Sequence, residues 1–478
     1  MTRNNQAIAK PAAPAMFLFL LAALALPAAC AGDAQTIDLI VRGDHVLTMD
    51  PEQSVIADGA VAVDDGMIVA IGPAAEIMAS YQANEVLAGA GKVVMPGLIN
   101  GHSHAAMTLL RGIADDLELM EWLTHYIFPA ENRFVDAAFV RLGTELACWE
   151  MLRGGTTTFV DMYYFPDSVA EAVESCGMRA VIVPSTIDQQ SPDAEDGEQS
   201  LRQAVDFVKR WRGRNNRIIP IIGVHSVYTV SPDGLVKVRA EAKKLGVAVG
   251  IHLEESPFEI EITRKNHAMT PVELLDSLGF FDGPTIGAHV VWPSETDIAV
   301  LVEKHIGVIH NPTSNMKTSA GVSPVVEMLA AGVKIGLGTD GAASNNDLDM
   351  WEEMRLAAFL QKVSTMDPEA LPASAVLQMA TSGGAEAIGL GAEIGSLTVG
   401  RRADLIQVDF SDVHFVPTYD VVSHLVYVAD EQDVETVIVD GKIVVKNKQV
   451  LTVDTRRVRA EANALAARIQ AALAADDE

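Results

Sequence analysis

Residues 93–397 alternate eight short apolar runs with longer segments whose apolar residues recur at helical spacing. Alternating strands and helices of this kind pack as a parallel sheet with helices on its faces. Eight such units in one domain predict an α/β fold, the (β/α)8 or TIM barrel. An open doubly wound sheet would carry a glycine-rich phosphate loop after its first strand, but here the first run leads into the sequence NGHSH, residues 100–104.

The eight predicted strands are short and of similar length, as barrel strands are. They are Val93–Leu98, Thr157–Met162, Arg179–Val183, Ile218–Val224, Val247–Leu253, Thr285–Val290, Gly307–Ile309 and Val333–Gly338. Functional side chains of TIM barrels lie at the carboxyl ends of the strands. The residues at these ends therefore decide what the barrel can do.

Histidines gather at these predicted strand ends. The chain has twelve, and six of them lie at the ends of five strands: His102, His104, His225, His252, His289 and His310. His102 and His104 are two residues apart, so an extended backbone points both rings to the same side. Two such imidazoles suit a metal cation, and a third imidazole with a carboxylate would complete four ligands. Asp340 places a carboxylate at the end of the eighth predicted strand.

Shorter strand-like runs occur at both ends of the chain. They fill residues 36–72 and return between residues 404 and 445, where Asp440-Gly441 is a strong hairpin turn. We expect one small β-sandwich domain built from residues 32–92 and 398–453, beside a barrel of residues 93–397. The helical spacing of residues 454–478 predicts a closing helix.

Residues 1–31 have the features of an export signal. Arg3 and Lys10 precede an apolar run, Ala15–Leu26, and small residues follow it. We therefore expect an exported protein, either periplasmic or anchored in a membrane as a lipoprotein. Ala29-Cys30-Ala31 fits a cleavage site of the A-x-A type, while Cys30 also resembles the cysteine of a bacterial lipoprotein box, which would carry a lipid anchor.

The charge of the chain limits the ligands that it can bind, and its cysteine content limits the disulfides that it can form. Lys and Arg total 35 and Asp and Glu total 64, a formal net charge of −29. No basic face is visible, which argues against nucleic acid and favours a small-molecule substrate. Three cysteines exclude a disulfide framework, and removal of the signal leaves Cys148 and Cys176, whose pairing stays open.

Several ordered motifs resemble those of the amidohydrolase superfamily. The first is PGLINGHSH at residues 96–104, and the others are IHLEE at 251–255, GAH at 287–289, HNPTSNMK at 310–317 and GLGTDGAASNN at 336–346. Together they resemble the branch that contains methylthioadenosine/S-adenosylhomocysteine deaminases, with triazine hydrolases and guanine deaminases as relatives. Barrels of this type often pair, so we expect a homo-oligomer.

The resemblance implies one divalent metal ion per subunit. Its ligands would be His102, His104, His252 and Asp340. Zn²⁺ is the expected metal, and such a ligand set also suits Fe²⁺ or Mn²⁺. A bound Zn²⁺ can lower the pKa of its water to about 7. The resemblance further implies that Glu255 protonates a ring nitrogen of the substrate, and that His289 and Asp340 handle the proton of the water.

The resemblance also implies a substrate pocket. Its residues would be Glu131, Trp122, His225 and Ser344. Glu131 matches a residue that holds the two ribose hydroxyls, a task that suits a carboxylate. The implied reaction is hydrolytic deamination of 5′-methylthioadenosine, S-adenosylhomocysteine or adenosine to the inosine analogue and ammonia.

Two other functions stay open at this point. The same machinery could act on a free purine, pterin or s-triazine ring, which has no ribose for Glu131 to hold. A non-catalytic binding protein on the same barrel would have lost metal ligands, and this chain has all of the candidates.

One segment departs from the pattern of the adenosylhomocysteine enzymes. Those enzymes place arginines after strand three, where they bind the amino-acid carboxylate. Here the strand-end position is Pro184, and the loop that follows is acidic. We therefore expect adenosylhomocysteine to be the weakest of the riboside substrates.

Overall fold

The computed structural model of this chain describes residues 35–474. The predicted signal peptide, with its candidate lipid anchor at Cys30, lies outside the described residues. Among residues 35–474, no helix combines the length and the apolar character that crossing a membrane would need.

The strands of the described chain form two sheets. In chain order they are β1 (Gln35–Leu47), β2 (Val55–Asp64), β3 (Met67–Pro73), β4 (Tyr81–Leu87), β5 (Lys92–Pro96), β6 (Leu98–Ser103), β7 (Thr156–Tyr163), β8 (Arg179–Thr186), β9 (Ile218–Pro220), β10 (Ile222–Val224), β11 (Val249–Leu253), β12 (Thr285–His289), β13 (Gly307–His310), β14 (Lys334–Leu337), β15 (Leu405–Asp409), β16 (Val434–Val439), β17 (Lys442–Lys446) and β18 (Gln449–Val450). Strands β6–β14 form one sheet, and the remaining strands form the other.

Most of the helices follow barrel strands. They are α1 (Ala74–Ser80), α2 (Leu119–Trp122), α3 (Phe128–Phe134), α4 (Ala137–Arg153), α5 (Pro166–Cys176), α6 (Gly197–Trp211), α7 (Pro232–Leu245), α8 (Pro257–His267), α9 (Pro271–Ser277), α10 (Glu295–Glu303), α11 (Pro312–Lys317), α12 (Val325–Ala331), α13 (Met350–Thr365), α14 (Ala373–Met379), α15 (Ser382–Ala387), α16 (Val421–Tyr427) and α17 (Thr455–Ala474). Polar caps start several of them: Ser231, Ser256 and Ser294 each accept a hydrogen bond from the backbone of their helix's first turn.

Strands β6–β14 form the predicted barrel, which the structure confirms. All are parallel, in the order β6-β7-β8-β10-β11-β12-β13-β14, and β9 pairs with β8. The predicted strand Ile218–Val224 is therefore divided in two. Between the first and last strands, the backbone N–H of Asp340 donates to the carbonyl of His102 at 3.0 Å, so the barrel is nearly closed.

The prediction that Val93–Leu98 forms the first barrel strand is wrong. β5 belongs to the other sheet, where it pairs with β1 and β15, and the first barrel strand is β6. The chain crosses between the sheets at Gly97, where a Cβ would lie 2.1 Å from Thr157 Cγ2. The N–H of Gly97 bonds Asp404 of the outer sheet, and the next N–H, of Leu98, bonds Gly155 of the barrel. An apolar run is buried in either sheet, so its composition does not distinguish them.

Both chain ends contribute to one outer sheet, as predicted. Its order is β18-β17-β16-β15-β5-β1-β2-β3, and β4 pairs with the first half of β1. Val41 and Val61 from the first end share a hydrophobic cluster with Leu405 and Ile438 from the second. The two chain ends therefore share one core and one nine-stranded sheet. The predicted closing helix is present as α17, which packs on α4.

A buried ion pair joins the outer sheet to the barrel. Arg179, at the start of β8, donates from Nε to Asp404 Oδ2 at 2.7 Å and from Nη2 to Oδ1 at 3.2 Å. The two side chains are only 1% and 2% exposed. Asp440 adds a backbone N–H to Asp404 Oδ1 at 2.7 Å. This bidentate contact fixes the orientation of one sheet against the other.

Candidate active site

Four side chains meet at the carboxyl end of the barrel: His102 from β6, His104 just after it, His252 from β11 and Asp340 after β14. Asp340 Oδ1 lies 3.3 Å from His102 Nε2 and 3.1 Å from His104 Nε2. His252 Nε2 lies 3.3 Å from His104 Nε2. His102 Nε2 and Asp340 Oδ1 are buried without a hydrogen-bond partner. Buried polar atoms left unpaired and facing one point fit a four-ligand metal site.

Backbone carbonyls orient two of the imidazoles. His104 Nδ1 faces the carbonyl oxygen of Met162, and His252 Nδ1 lies 2.8 Å from the carbonyl oxygen of His225. A proton on each Nδ1 donates to that oxygen and leaves Nε2 with its lone pair toward the cluster. Metal-binding histidines are held in this way.

Two serines hold the outer oxygen of Asp340. Ser314 Oγ and Ser344 Oγ donate to Asp340 Oδ2 at 2.7 and 2.9 Å. Burial alone would raise the pKa of Asp340, but its contacts with His102 and His104 hold that pKa well below its ordinary value. Ser344 was predicted to line the pocket, and it does so while also positioning this carboxylate. Sequence reasoning missed the role of Ser314, although it stands inside a recognised motif.

Glu255 lies beside the cluster without joining it. Its Oε1 is 3.9 Å from His289 Nε2, and the side chain is buried at the cavity wall. The preceding residue, Glu254, has a left-handed φ of 50° and directs its own carboxylate away, toward the backbone N–H of Val272 at 3.4 Å. Burial raises the pKa of Glu255. A carboxyl group that retains its proton more readily suits a proton donor.

His289 lies at the end of β12, and one of its ring nitrogens is within 4.8 Å of ligand atoms of His102 and Asp340. Its φ of 77° turns the ring into the site. His289 Nδ1 lies 2.9 Å from Asn315 Oδ1, its nearer partner, and 3.2 Å from Asn311 Nδ2. A proton on Nδ1 donates to that oxygen and leaves Nε2 free to accept a proton, the role predicted for this residue. Asn315 was quoted in a motif, but sequence reasoning gave it no role.

A cavity opens beside the cluster, in a concave position typical of small-molecule sites. Its lining is largely apolar, with the predicted Trp122 beside Leu123 and Phe128. The predicted Glu131, His225 and Ser344 also line it. None of the described residues that line this cavity is a lysine or an arginine.

Two tyrosines hold Glu131 at the wall of this cavity. Tyr163 donates its hydroxyl to Glu131 Oε1 at 2.7 Å. Burial raises the pKa of Glu131 to about 7, although hydrogen bonds from Tyr163 and Tyr164 oppose that rise. Sequence reasoning missed both tyrosines. Their position at the end of an apolar strand was the available signal.

Strand β8, which forms part of the cavity wall, is longer than the predicted strand Arg179–Val183. β8 continues past Pro184 to Thr186, so Ser185 faces the cavity, and its buried hydroxyl has no hydrogen-bond partner. Proline lacks the N–H of the ladder and therefore ended the predicted strand too early. The first arginine after β8 is Arg202. Its side chain is 65% exposed, with Nη1 3.8 Å from Glu198 Oε2, and it does not reach the cavity.

His225 lies between this wall and the cluster. Its Nδ1 is 3.0 Å from Thr229 Oγ1, and burial lowers its pKa to about 3, so the ring is neutral. His310, the sixth strand-end histidine, does not line the cavity, and both of its ring nitrogens are buried without partners. Cys148 and Cys176 are buried free thiols in the structure.

The chain is similar to several known proteins. The profile of the amidohydrolase family matches residues 93–444, and that of a bacterial imidazolonepropionase-like composite domain matches residues 59–81. A protein of Desulforudis audaxviator named 5-methylthioadenosine/S-adenosylhomocysteine deaminase is 46% identical over 432 residues, covering 90% of this chain and 99% of that protein. A 5′-deoxyadenosine deaminase of Methanosarcina mazei is 46% identical over 426 residues, covering 89% and 96%.

A solved structure shares the fold over nearly the whole chain. It is described as an adenosine deaminase from Xanthomonas campestris with bound zinc. It is 36% identical in sequence, with a TM-score of 0.89, and the match covers 92% of this chain and all of that one.

Proposed function

This chain belongs to the amidohydrolase family, and on that premise we propose that it is a metal-dependent aminohydrolase of adenosine-like nucleosides. Its products are the inosine analogue and ammonia. One observation carries the proposal: Glu131, a carboxylate suited to a ribose diol, shares a cavity with Glu255 and the cluster of metal-ligand candidates. Relatives of similar length that carry the names of nucleoside deaminases support it.

We propose that His102, His104, His252 and Asp340 hold one divalent metal ion, with zinc preferred. The unpaired buried atoms of His102 and Asp340 support a cation at this point. Held there, the ion would polarise a water molecule and lower its pKa. Zinc in the Xanthomonas structure supports the choice of metal.

The chain's own residues move the protons. His289 Nε2 and Asp340 accept a proton from the water as its oxygen attacks the amine-bearing ring carbon. Glu255 gives its proton to the adjacent ring nitrogen, which makes that carbon electrophilic. The proton taken from the water then passes to the amino group, and the C–N bond breaks to release ammonia. The remaining hydroxyl proton replaces the one that Glu255 gave, and a carbonyl remains on the ring.

The cavity wall bears on the choice among nucleosides. Its described lining holds acidic side chains but neither lysine nor arginine. A substrate carboxylate, as in adenosylhomocysteine, would find no cationic partner there. We therefore propose that nucleosides with an uncharged 5′ group are the better substrates.

The cellular setting is a further part of the proposal. Residues 1–31 support export, with Cys30 as the candidate attachment site of a lipid. Fractionation of cells that express the full chain, with mass analysis of its N-terminus, tests this. A cytoplasmic, uncleaved chain would contradict it. Light scattering of the purified enzyme would test the expected homo-oligomer.

An ammonia-release assay tests the activity. The zinc-loaded enzyme should act on adenosine, methylthioadenosine and 5′-deoxyadenosine, and least on adenosylhomocysteine among the ribosides. Adenine, guanine and an aminotriazine are the comparison substrates. Turnover of a free base or triazine, with none of any riboside, would contradict the proposal and favour the alternative reaction.

Glu131→Ala should weaken nucleoside use selectively. Hydrogen bonds to a charged group contribute about 1.5–3 kcal/mol each, so loss of both ribose contacts should lower kcat/KM for ribosides by roughly 100-fold or more, mainly through KM. The rate on free adenine, however slow, should change little. Glu121→Ala, an exposed glutamate of α2, is the matched control. Equal losses on riboside and free base would remove the ribose assignment.

A further inference from the structure

Glu259 is a fully buried carboxylate that the proposed reaction does not use. It lies in the first turn of α8, has no exposed surface and does not line the cavity. Its Oε2 accepts a hydrogen bond from the backbone N–H of Glu255 at 3.0 Å. Glu259 therefore contacts the backbone of the proposed proton donor and cannot contact the substrate.

The neighbouring helix α9 shows what such a glutamate ordinarily does. There Thr270 Oγ1 accepts from the N–H of Glu273 at 3.1 Å, and Glu273 Oε2 accepts in return from the N–H of Thr270 at 2.9 Å. This reciprocal pair is a capping box, in which the third residue of the helix bonds back to the cap residue itself.

Helix α8 has the same sequence pattern but a shifted contact. Ser256 Oγ accepts from the N–H of Glu259 at 3.4 Å, as a cap residue should. The carboxylate of Glu259, however, reaches one residue farther back than in a capping box and binds the N–H of Glu255. The glutamate that would otherwise complete a helix cap instead holds the backbone of Glu255.

The backbone at this point needs such support. Glu254 adopts a left-handed φ of 50°, which is strained for a residue with a side chain. The peptide group between Glu254 and Glu255 is held through both of its polar atoms. The carbonyl of Glu254 accepts from the N–H of Val291 at 2.9 Å, and the N–H of Glu255 donates to Glu259. Strained residues persist where surrounding contacts over-determine them, and these two contacts fix the peptide plane that follows Glu254.

We propose that Glu259 is a positioning residue for the reaction, because it holds the backbone that aims the Glu255 carboxyl at the substrate ring. The inference rests on the proposed function, which makes Glu255 the proton donor. Without this contact the turn can relax and move Glu255 from its place beside His289. Misplacement of a reacting group by about 1 Å can cost on the order of 100-fold in rate.

The hydrogen bond between the N–H of Glu255 and the carboxyl of Glu259 also predicts which substitution of Glu259 keeps the enzyme active. Burial raises the pKa of Glu259 to about 8, so the carboxyl is neutral at lower pH and accepts through its carbonyl oxygen. A glutamine amide has the same length and a similar acceptor oxygen. Glutamine should therefore keep the hydrogen bond from Glu255, and alanine should lose it.

The test compares Glu259→Ala, Glu259→Gln and the control Glu273→Ala on the best substrate of the wild-type enzyme. Glu259→Ala should lower kcat roughly 10- to 100-fold, with KM and zinc content unchanged. Glu259→Gln should recover most of that loss. Glu273→Ala removes the equivalent contact in α9, which does not involve the N–H of Glu255, and should leave kcat unchanged.

Several outcomes would overturn the inference. One is a kcat for Glu259→Ala equal to that of Glu273→Ala. Another is a loss of kcat that Glu259→Gln does not recover. The third is a loss of kcat that is proportional to a loss of zinc. If Glu259→Ala does not fold, Glu259→Asp replaces it, because its shorter carboxylate stays polar but cannot reach Glu255, and an unchanged kcat then refutes the role. If the wild-type enzyme deaminates a free base and no riboside, the proposed function has failed, and the same variants assayed on that base still test the positioning.

Discussion

Glu255→Gln should retain its metal and lose most of its turnover. Glutamine cannot give a proton to the ring nitrogen, and removal of a general acid typically costs 10²- to 10⁴-fold, so we expect kcat to fall by roughly that factor. Zinc content and the affinity for a product analogue should change little, since Glu255 is not among the described residues whose ligand atoms cluster. Steady-state kinetics with metal analysis measures both.

Helix α8, which follows Glu255 in the chain, offers a matched control. Glu261→Gln alters an exposed glutamate of α8 and should behave as the wild type. Loss of zinc in Glu255→Gln would mean that Glu255 is a metal ligand. A kcat like that of the control would mean that another group protonates the ring.

Arg179→Met should cause the largest loss of stability. The substitution leaves Asp404 buried without its cation, and breaking one side of a buried ion pair costs about 3–5 kcal/mol. The denaturation midpoint should fall accordingly, and the outer sheet should lose its fixed orientation against the barrel. Urea unfolding followed by fluorescence and circular dichroism measures this loss.

Two further variants separate burial from charge. Arg210→Met removes a partner of Asp167 from a surface pair whose side chains are 50% and 46% exposed, and it should cost at most about 1 kcal/mol. Arg179→Met combined with Asp404→Leu should recover much of the loss, because no uncompensated charge remains. A single Arg179→Met variant as stable as Arg210→Met would refute the assigned role of the pair.

The sequence was sufficient to predict that several histidines and one aspartate meet at one end of the barrel. His102 and His104 sit two apart on an extended strand, and the parallel topology brings His252, His289 and Asp340 to the same end of the barrel. The number of strands already implied that meeting point. For this reason the barrel and its strand-end histidines were predicted together, and the resemblance to amidohydrolases then implied which of them would bind the metal.

The supporting residues depend on contacts between distant segments. Tyr163 holds Glu131 across 32 positions, and Ser314 holds Asp340 across 26. Hydroxyl side chains are common near loops, so nothing local separates these from others. Glu259 lies near Glu255 in sequence, but a one-residue shift from an ordinary cap is visible only in three dimensions. The boundary between β5 and β6 was missed because β5 and the first two residues of β6 form one continuous apolar run, residues 93–99.

That boundary has a consequence for recombining such enzymes by exchange of modules. At Gly97 the chain leaves the outer sheet, and five residues later it carries His102. Neighbouring amide groups at this junction bond different sheets. A chimera joined once before β5 would pair β5 with a β1 from the other parent and thereby shift the anchor of the first ligand strand. Crossovers should therefore keep β5, Gly97 and β6 from one parent together with β1 and β15, so that the outer sheet is inherited with the metal centre as one heritable unit.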